Sequence, residues 1–218
     1  MKVGTDAILL GSWVRVKDDD IVLDIGTGCG ILSLMMAQKS DAKIDAIDID
    51  HASINQAQDN INQTKWHNRI CLYHTSVQEY ARKSNKKYSF IITNPPYFHH
   101  ALSPATKRKE LAKHGNSLSF ESLIDAVDQL LEKSGTFNLI LPKESSERFK
   151  KMSSEKGLYL KREMMVSPKI NKAVNRMMMC FSRKDACIPV SESIAILDTM
   201  KAYTESFKNL CQEFYIDM

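Results

Sequence analysis

Between Ile21 and Asp50 the sequence reads IVLDIGTGCGILSLMMAQKSDAKIDAIDID: a short apolar run, a glycine turn, a helix-period segment, and a second short run that closes on acids. Uninterrupted apolar runs suit strands covered on both faces, and strands joined through helices line up in parallel. The alternation continues with HASINQAQDNINQ as a helix, RICLYHT and YSFIIT (Tyr88 to Thr93) as strands, and TFNLILP as a further strand. SFESLIDAVDQLLEKSG has the apolar spacing of an amphipathic helix. Ser119 is its expected N-cap, Ser122 lies inside the first turn, and Gly135 is expected to end it. MKVGTDAILLGSWV reads as a helix start, with Thr5 as a possible cap. LYLKREMMV and NRMMMCFSR read as two last strands joined by a loop containing Pro168, forming a hairpin-like antiparallel edge. The expectation is an α/β fold in one domain over residues 1–218: a doubly wound, mostly parallel seven-stranded sheet with its last strand antiparallel.

Composition narrows the class without choosing a function. Hydrophobic and charged fractions of 43% and 26% are ordinary for a globular chain. No apolar run approaches the roughly 20 residues of a membrane-spanning helix, so no membrane partner is expected. The five cysteines are scattered and include no CxxC pair. Neither a disulfide framework nor a metal site is expected, and reduced thiols suit the cytoplasm. His99 and His100 are adjacent, point in different directions and have no third ligand at useful spacing, so they read as pocket rim or surface. The net charge of +4 tolerates a nucleic-acid partner without requiring one.

The glycines in Asp24-Ile25-Gly26-Thr27-Gly28-Cys29-Gly30 stand between a strand and a helix, where a tight turn lets the backbone approach a ligand. The spacing is GxGxG, and Asp24 precedes the glycines. A carboxylate there would repel a pyrophosphate and pair with a cationic group. About 20 residues on, Asp48 ends the next strand, where a carboxylate can accept from both hydroxyls of a ribose. Asp50 could do the same; Asp48 is preferred. Cys29 is read as a small residue in a tight loop, Met177 to Met179 as strand filler, and Trp13 and Trp66 as packing residues. At Asn94-Pro95-Pro96-Tyr97 a strand stops in a stiff corner, since two prolines neither continue a helix nor donate inside a sheet.

Together with the terminal strand pair, these features resemble the class I S-adenosylmethionine-dependent methyltransferases, a Rossmann-like fold. The resemblance implies that Asp24, Gly26, Gly28 and Gly30 pass the amino-acid part of S-adenosylmethionine and that Asp48 holds its ribose. It also implies that Ser76 and Val77 in HTSVQEY lie near the adenine, with Ser76 where an Asp is common. Asn94, Pro95 and Tyr97 match the (Asn/Asp/Ser)-Pro-Pro-(Tyr/Phe/Trp) corner of amino-group methyltransferases, with Asn94 beside the cofactor as well. In such a corner the Asn side-chain oxygen and the proline carbonyl each accept one hydrogen of a poorly nucleophilic amine. The aromatic ring stacks on an extruded base.

MKVGTDAILLGSW, LDIGTGCGILSLMMAQ, AIDID, IITNPPYF, LSF, LILPKE and FYIDM are similar to the bacterial tRNA(Val) adenine-N6-methyltransferase family. Its members modify the adenosine just 3′ of the anticodon. That resemblance implies a tRNA partner and places Thr5 and Asp6 near the cofactor. Relatives carry a further stretch before the segment matching Met1, so this chain is expected to lack it. Lys107, Arg108, Lys109 and Lys113, then Lys169, Lys172 and Arg176, form basic loops suited to phosphate contacts, although each run taken alone also reads as a solvated face. A monomer is expected. Methylation of a protein glutamine amide or of another nucleic-acid amino group stays open, as does a cofactor- or RNA-binding protein without catalysis.

Overall fold

The expected alternation of strands and helices appears in a computed structural model, which describes residues 4–95, 118–184 and 188–215. In chain order come α1 (Thr5–Trp13), β1 (Ile21–Ile25), α2 (Ile31–Lys39), β2 (Lys43–Asp48), α3 (His51–Asn62) and β3 (Ile70–His74). They are followed by α4 (Val77–Lys83), β4 (Tyr88–Thr93), α5 (Phe120–Leu130), β5 (Leu131–Pro142) and α6 (Lys143–Glu155). β6 (Tyr159–Lys169), β7 (Arg176–Ser182), β8 (Val190–Leu197) and α7 (Glu205–Cys211) complete the described elements.

The strands form one sheet in the order β3-β2-β1-β4-β5-β7-β6-β8. β7 pairs antiparallel with both its neighbours, and every other pairing is parallel. The chain moves outward from β1 to β3, then returns to place β4 on the other side of β1. This reversal is where an open α/β sheet parts at its carboxyl ends and accepts ligands. One face packs under α1, α2, α3 and α7 through a cluster that includes Leu10, Met36, Ile61 and Phe207. The other packs under α4, α5 and α6 through Leu123, Val127, Phe137 and Phe149. There, Phe149 lies edge-on to Phe120 at 5.0 Å and to Phe181 at 5.8 Å, contacts worth about 0.5–1.5 kcal/mol each beyond burial.

Three expectations are corrected. The sheet has eight strands: β8 adds in parallel outside β6, so the β6–β7 pair is not the edge. Gly135 does not end a helix, because α5 stops at Leu130 and β5 starts at once. Gly135 instead sits where the β4–β5 register shifts; a Cβ there would lie 3.0 Å from the carbonyls of Tyr88 and Ser89. Pro168 lies inside β6, just past Val166, where pairing with β7 ends. The capping of α5 is as expected: Ser119 accepts from the Ser122 amide and Ser122 answers from its side chain.

Candidate active site at the carboxyl ends of the central strands

Ile25, the last residue of β1, pairs with Ile47 of β2 on one side and Thr93 of β4 on the other. Three strands thus stop at one level, and register alone brings Gly26, Asp48 and Asn94 to the same end of the sheet. The Thr93 hydroxyl donates to the Ile25 carbonyl at 2.7 Å, which ties the strand before the proline corner to the strand before the glycine loop. Asn94 is half-buried and Pro95 buried.

Gly26, Gly28 and Gly30 have φ of 71°, 57° and 84°, the left-handed region that side chains resist. The amides of Gly26 and Thr27 both donate to the Ile47 carbonyl, at 2.9 and 3.0 Å. The Gly28 amide donates to Asp48 Oδ2 at 2.8 Å, and Asp48 Oδ1 accepts from the Asp50 amide at 2.9 Å. A Cβ on Gly30 would lie 3.3 Å from that of Ala57, so the loop packs closely on α3; one on Gly26 would meet nothing within 4 Å. Asp50 is the N-cap of α3, accepting from the amide and hydroxyl of Ser53, and these bonds hold its carboxyl below the usual range. Asp48 is therefore the strand-end carboxylate that faces the loop.

Asp24 is fully buried in β1. Its Oδ2 accepts from Thr27 Oγ1 at 2.6 Å and Ser33 Oγ at 2.7 Å, while Oδ1 has no hydrogen-bond partner among the described residues. Burial pushes its pKa from 3.8 to about 6; the two hydroxyls pull it down and the nearby Asp48 charge adds to the rise. A buried acceptor atom of this kind suits a cationic amine. With the ribose-binding potential of Asp48 and the open side of Gly26, the residues present fit S-adenosylmethionine.

Around this centre, Ser76 is the N-cap of α4, accepting from the Glu79 amide at 3.2 Å, and Val77 is buried behind it. Thr5 is the first residue of α1; Gly4 occupies the cap position instead. Asp6 accepts from Arg176 Nε at 3.0 Å, and Arg176 pairs with Pro142 at the end of β5. That ion pair lies on the same end of the sheet, beyond the level of Thr93. Lys169 closes β6, where its Nζ donates to the Thr199 carbonyl at 2.9 Å, and Lys172 is exposed beyond it. Tyr97, Lys107, Arg108, Lys109, Lys113, His99 and His100 lie outside the described residues.

Four contributors escaped the sequence reading. Thr27 and Ser33 hold the Asp24 carboxylate, and Thr93 locks the corner to β1. Ile49, 52% exposed between two acids, offers an apolar surface beside Asp48. The signal for Ile49 was an apolar residue just past the strand's last acid. The three hydroxyl residues carried none, because their partners lie on other turns or strands.

The family model for the methyltransferase small domain matches residues 2–149. The tRNA1(Val) (adenine(37)-N6)-methyltransferase of Photorhabdus laumondii is 35% identical, covering 99% of this chain and 89% of that protein. The enzyme of the same name from Parabacteroides distasonis is 38% identical, covering 100% and 92%. Among solved structures, a predicted O-methyltransferase from Agrobacterium tumefaciens superposes with a TM-score of 0.71 at 17% identity over 95% of this chain and 96% of that one, a likeness of fold.

Proposed function

We infer that this chain, which belongs to the tRNA1(Val) (adenine(37)-N6)-methyltransferase family, is an S-adenosylmethionine-dependent enzyme that methylates N6 of the adenosine next to the anticodon of a valine tRNA. The observation that carries this reading is the fastening of the Asn94-Pro95 corner to the start of the glycine loop through Thr93 and Ile25. It supports the reading because it holds the start of the Asn94-Pro95 corner beside the start of the glycine loop.

Asp24, Gly26, Gly28 and Asp48 would hold S-adenosylmethionine, with Ile49, Ser76 and Val77 on the adenine side. When bound, that cofactor supplies a methyl group activated by a positively charged sulfur. The chain's own part is to orient the nucleophile. The Asn94 side-chain oxygen and the Pro95 carbonyl each accept one amino hydrogen of adenine, which draws the nitrogen out of conjugation and fixes its direction. Proline rigidity keeps these acceptors in place, so the orientation is set before the substrate arrives. The methylated nitrogen is strongly acidic, so no dedicated base is required. Tyr97 stacks on the base, which in an anticodon loop is already unpaired and costs little to extrude. Lys107, Arg108, Lys109, Lys113, Lys169 and Lys172 supply phosphate contacts, and Arg176, paired with Asp6, borders the pocket. The chain acts as a single-domain monomer in the cytoplasm. No helix among the described residues is long and apolar enough to cross a membrane.

The test is direct. Purified protein, S-adenosylmethionine and valine tRNA lacking the modification are expected to yield N6-methyladenosine 3′ of the anticodon, read by mass spectrometry of nuclease fragments. No product from an intact chain that binds the cofactor would remove the reading.

A further inference from the structure

On the end of the sheet that carries the glycine loop, β6 and β8 run on past the central strands. Thr93 is level with Leu139, Met179, Glu163 and Ser191 across successive neighbours, so Ser167, Lys169 and Ser193 lie further out. Between these strand ends and the start of α7 opens a groove of about 360 Å³, lined by Ser167, Lys169, Ser193, Thr204 and Ser206. Thr204 is engaged, donating to the Ala195 carbonyl at 2.5 Å and capping α7. The hydroxyls of Ser167, Ser193 and Ser206 make no hydrogen bond among the described residues.

Two turns form the rim. Ile170 donates to the Leu197 carbonyl at 2.8 Å, which joins the turn after β6 to the turn after β8. Lys172 and Lys201 are exposed on these turns, and neither pairs with a carboxylate among the described residues. Two acids stand nearby: Asp198, whose Oδ1 accepts from the amides of Met200 and Ala202, and Glu205, which pairs with Lys208 at 3.0 Å. Met200 and Tyr203, 86% and 40% exposed, interleave with the lysines.

Hydroxyls flanked by lysines are the contacts that sugar–phosphate chains receive, and Ile170, Ile194 and Ala195 line the groove between them. β8 stands four strand spacings from β4, roughly 19 Å at the usual inter-strand distance. That is beyond the reach of the target nucleotide and within the span of its flanking duplex. We propose that the groove receives the backbone of the anticodon stem while the Asn94 corner handles the base. This rests on the reading of the chain as a tRNA methyltransferase.

The test compares wild type with the Ser193→Glu/Lys201→Glu double variant, neither position lying in the core. A charge control is Lys133→Glu, exposed at the far end of β5. Affinity for valine tRNA is measured across a salt series, with S-adenosylmethionine affinity and thermal stability alongside. The double variant is expected to bind tRNA about tenfold more weakly, with a salt slope lower by about 1 and a raised KM for tRNA. Cofactor affinity, kcat at saturating tRNA and melting temperature stay at wild-type values, and the control stays at wild type throughout. Unchanged tRNA affinity in the double variant, or an equal loss in the control, would overturn the groove assignment and leave the methyltransferase reading standing. A wild-type protein that takes up S-adenosylmethionine yet neither binds nor methylates tRNA would overturn both.

Discussion

Asp24 is held in an unfavourable state that a bound cation would relieve. Its folded pKa of about 6 exceeds the 3.8 of an exposed carboxyl, so between those values the folded chain holds more protons than the unfolded one. Stability conferred by the protonated form is present below 3.8 and is lost as pH rises toward 6, a difference of about 3 kcal/mol. Urea titrations of the free protein should therefore give a smaller unfolding free energy at pH 7.5 than at pH 5 from this group, and Asp24→Asn should flatten that dependence. S-adenosylmethionine affinity, measured calorimetrically, should follow the opposite course. With the proposed pairing of the Asp24 carboxylate and the cofactor's amine, it falls as pH drops below about 6. The role proposed for Asn94 is on the rate: Asn94→Ala should lower kcat by about 10²–10³-fold, with tRNA affinity little changed.

At the scale of elements, two cations close helix ends that the chain leaves without glycine caps. Lys39 Nζ donates to the carbonyls of Gly11, Ser12 and Val14 at 3.0, 3.0 and 2.6 Å, fastening the end of α1 to that of α2. Arg69 does the same for α2 through the carbonyls of Ala37, Ser40 and Ala42. Lys39→Met should cost about 1.5–3 kcal/mol in chemical denaturation, since it strands carbonyls that the ammonium now satisfies. None of this was visible in the sequence, because the carbonyls Lys39 meets lie at the distant end of α1. The central strands were legible because burial on both faces forces continuous apolar runs, as in IVLDI and YSFIIT. α6 was not, because two of its three buried residues are serines and its period is hidden. β8 was not, because Ser191-Glu192-Ser193 breaks any alternation in VSESIAIL with a polar run on an outer strand. Gly135 misled for a different reason. A glycine after an amphipathic run usually ends a helix, but here its missing side chain admits the β4 backbone. The glycine turn, the strand-end acid and the asparagine before the prolines were readable because each is fixed by strand order; the hydroxyls that hold them are set by tertiary contact.

For the molecule as a whole, the last described elements are part of the core. Phe207 and Cys211 of α7 are fully buried, and with Ile194 of β8 they join the cluster that holds Leu10 and Met36. A chain truncated after Lys184 should lose its cooperative urea transition, read by far-UV circular dichroism, because the underside of α1 would be left bare. The bond from Thr93 to Ile25 reaches further than its length suggests. It ties the end of β4, just before the proposed acceptor corner, to the end of β1, just before the glycine loop proposed to hold the donor. Any adjustment that parts the end of β1 from the end of β4 must then break that bond.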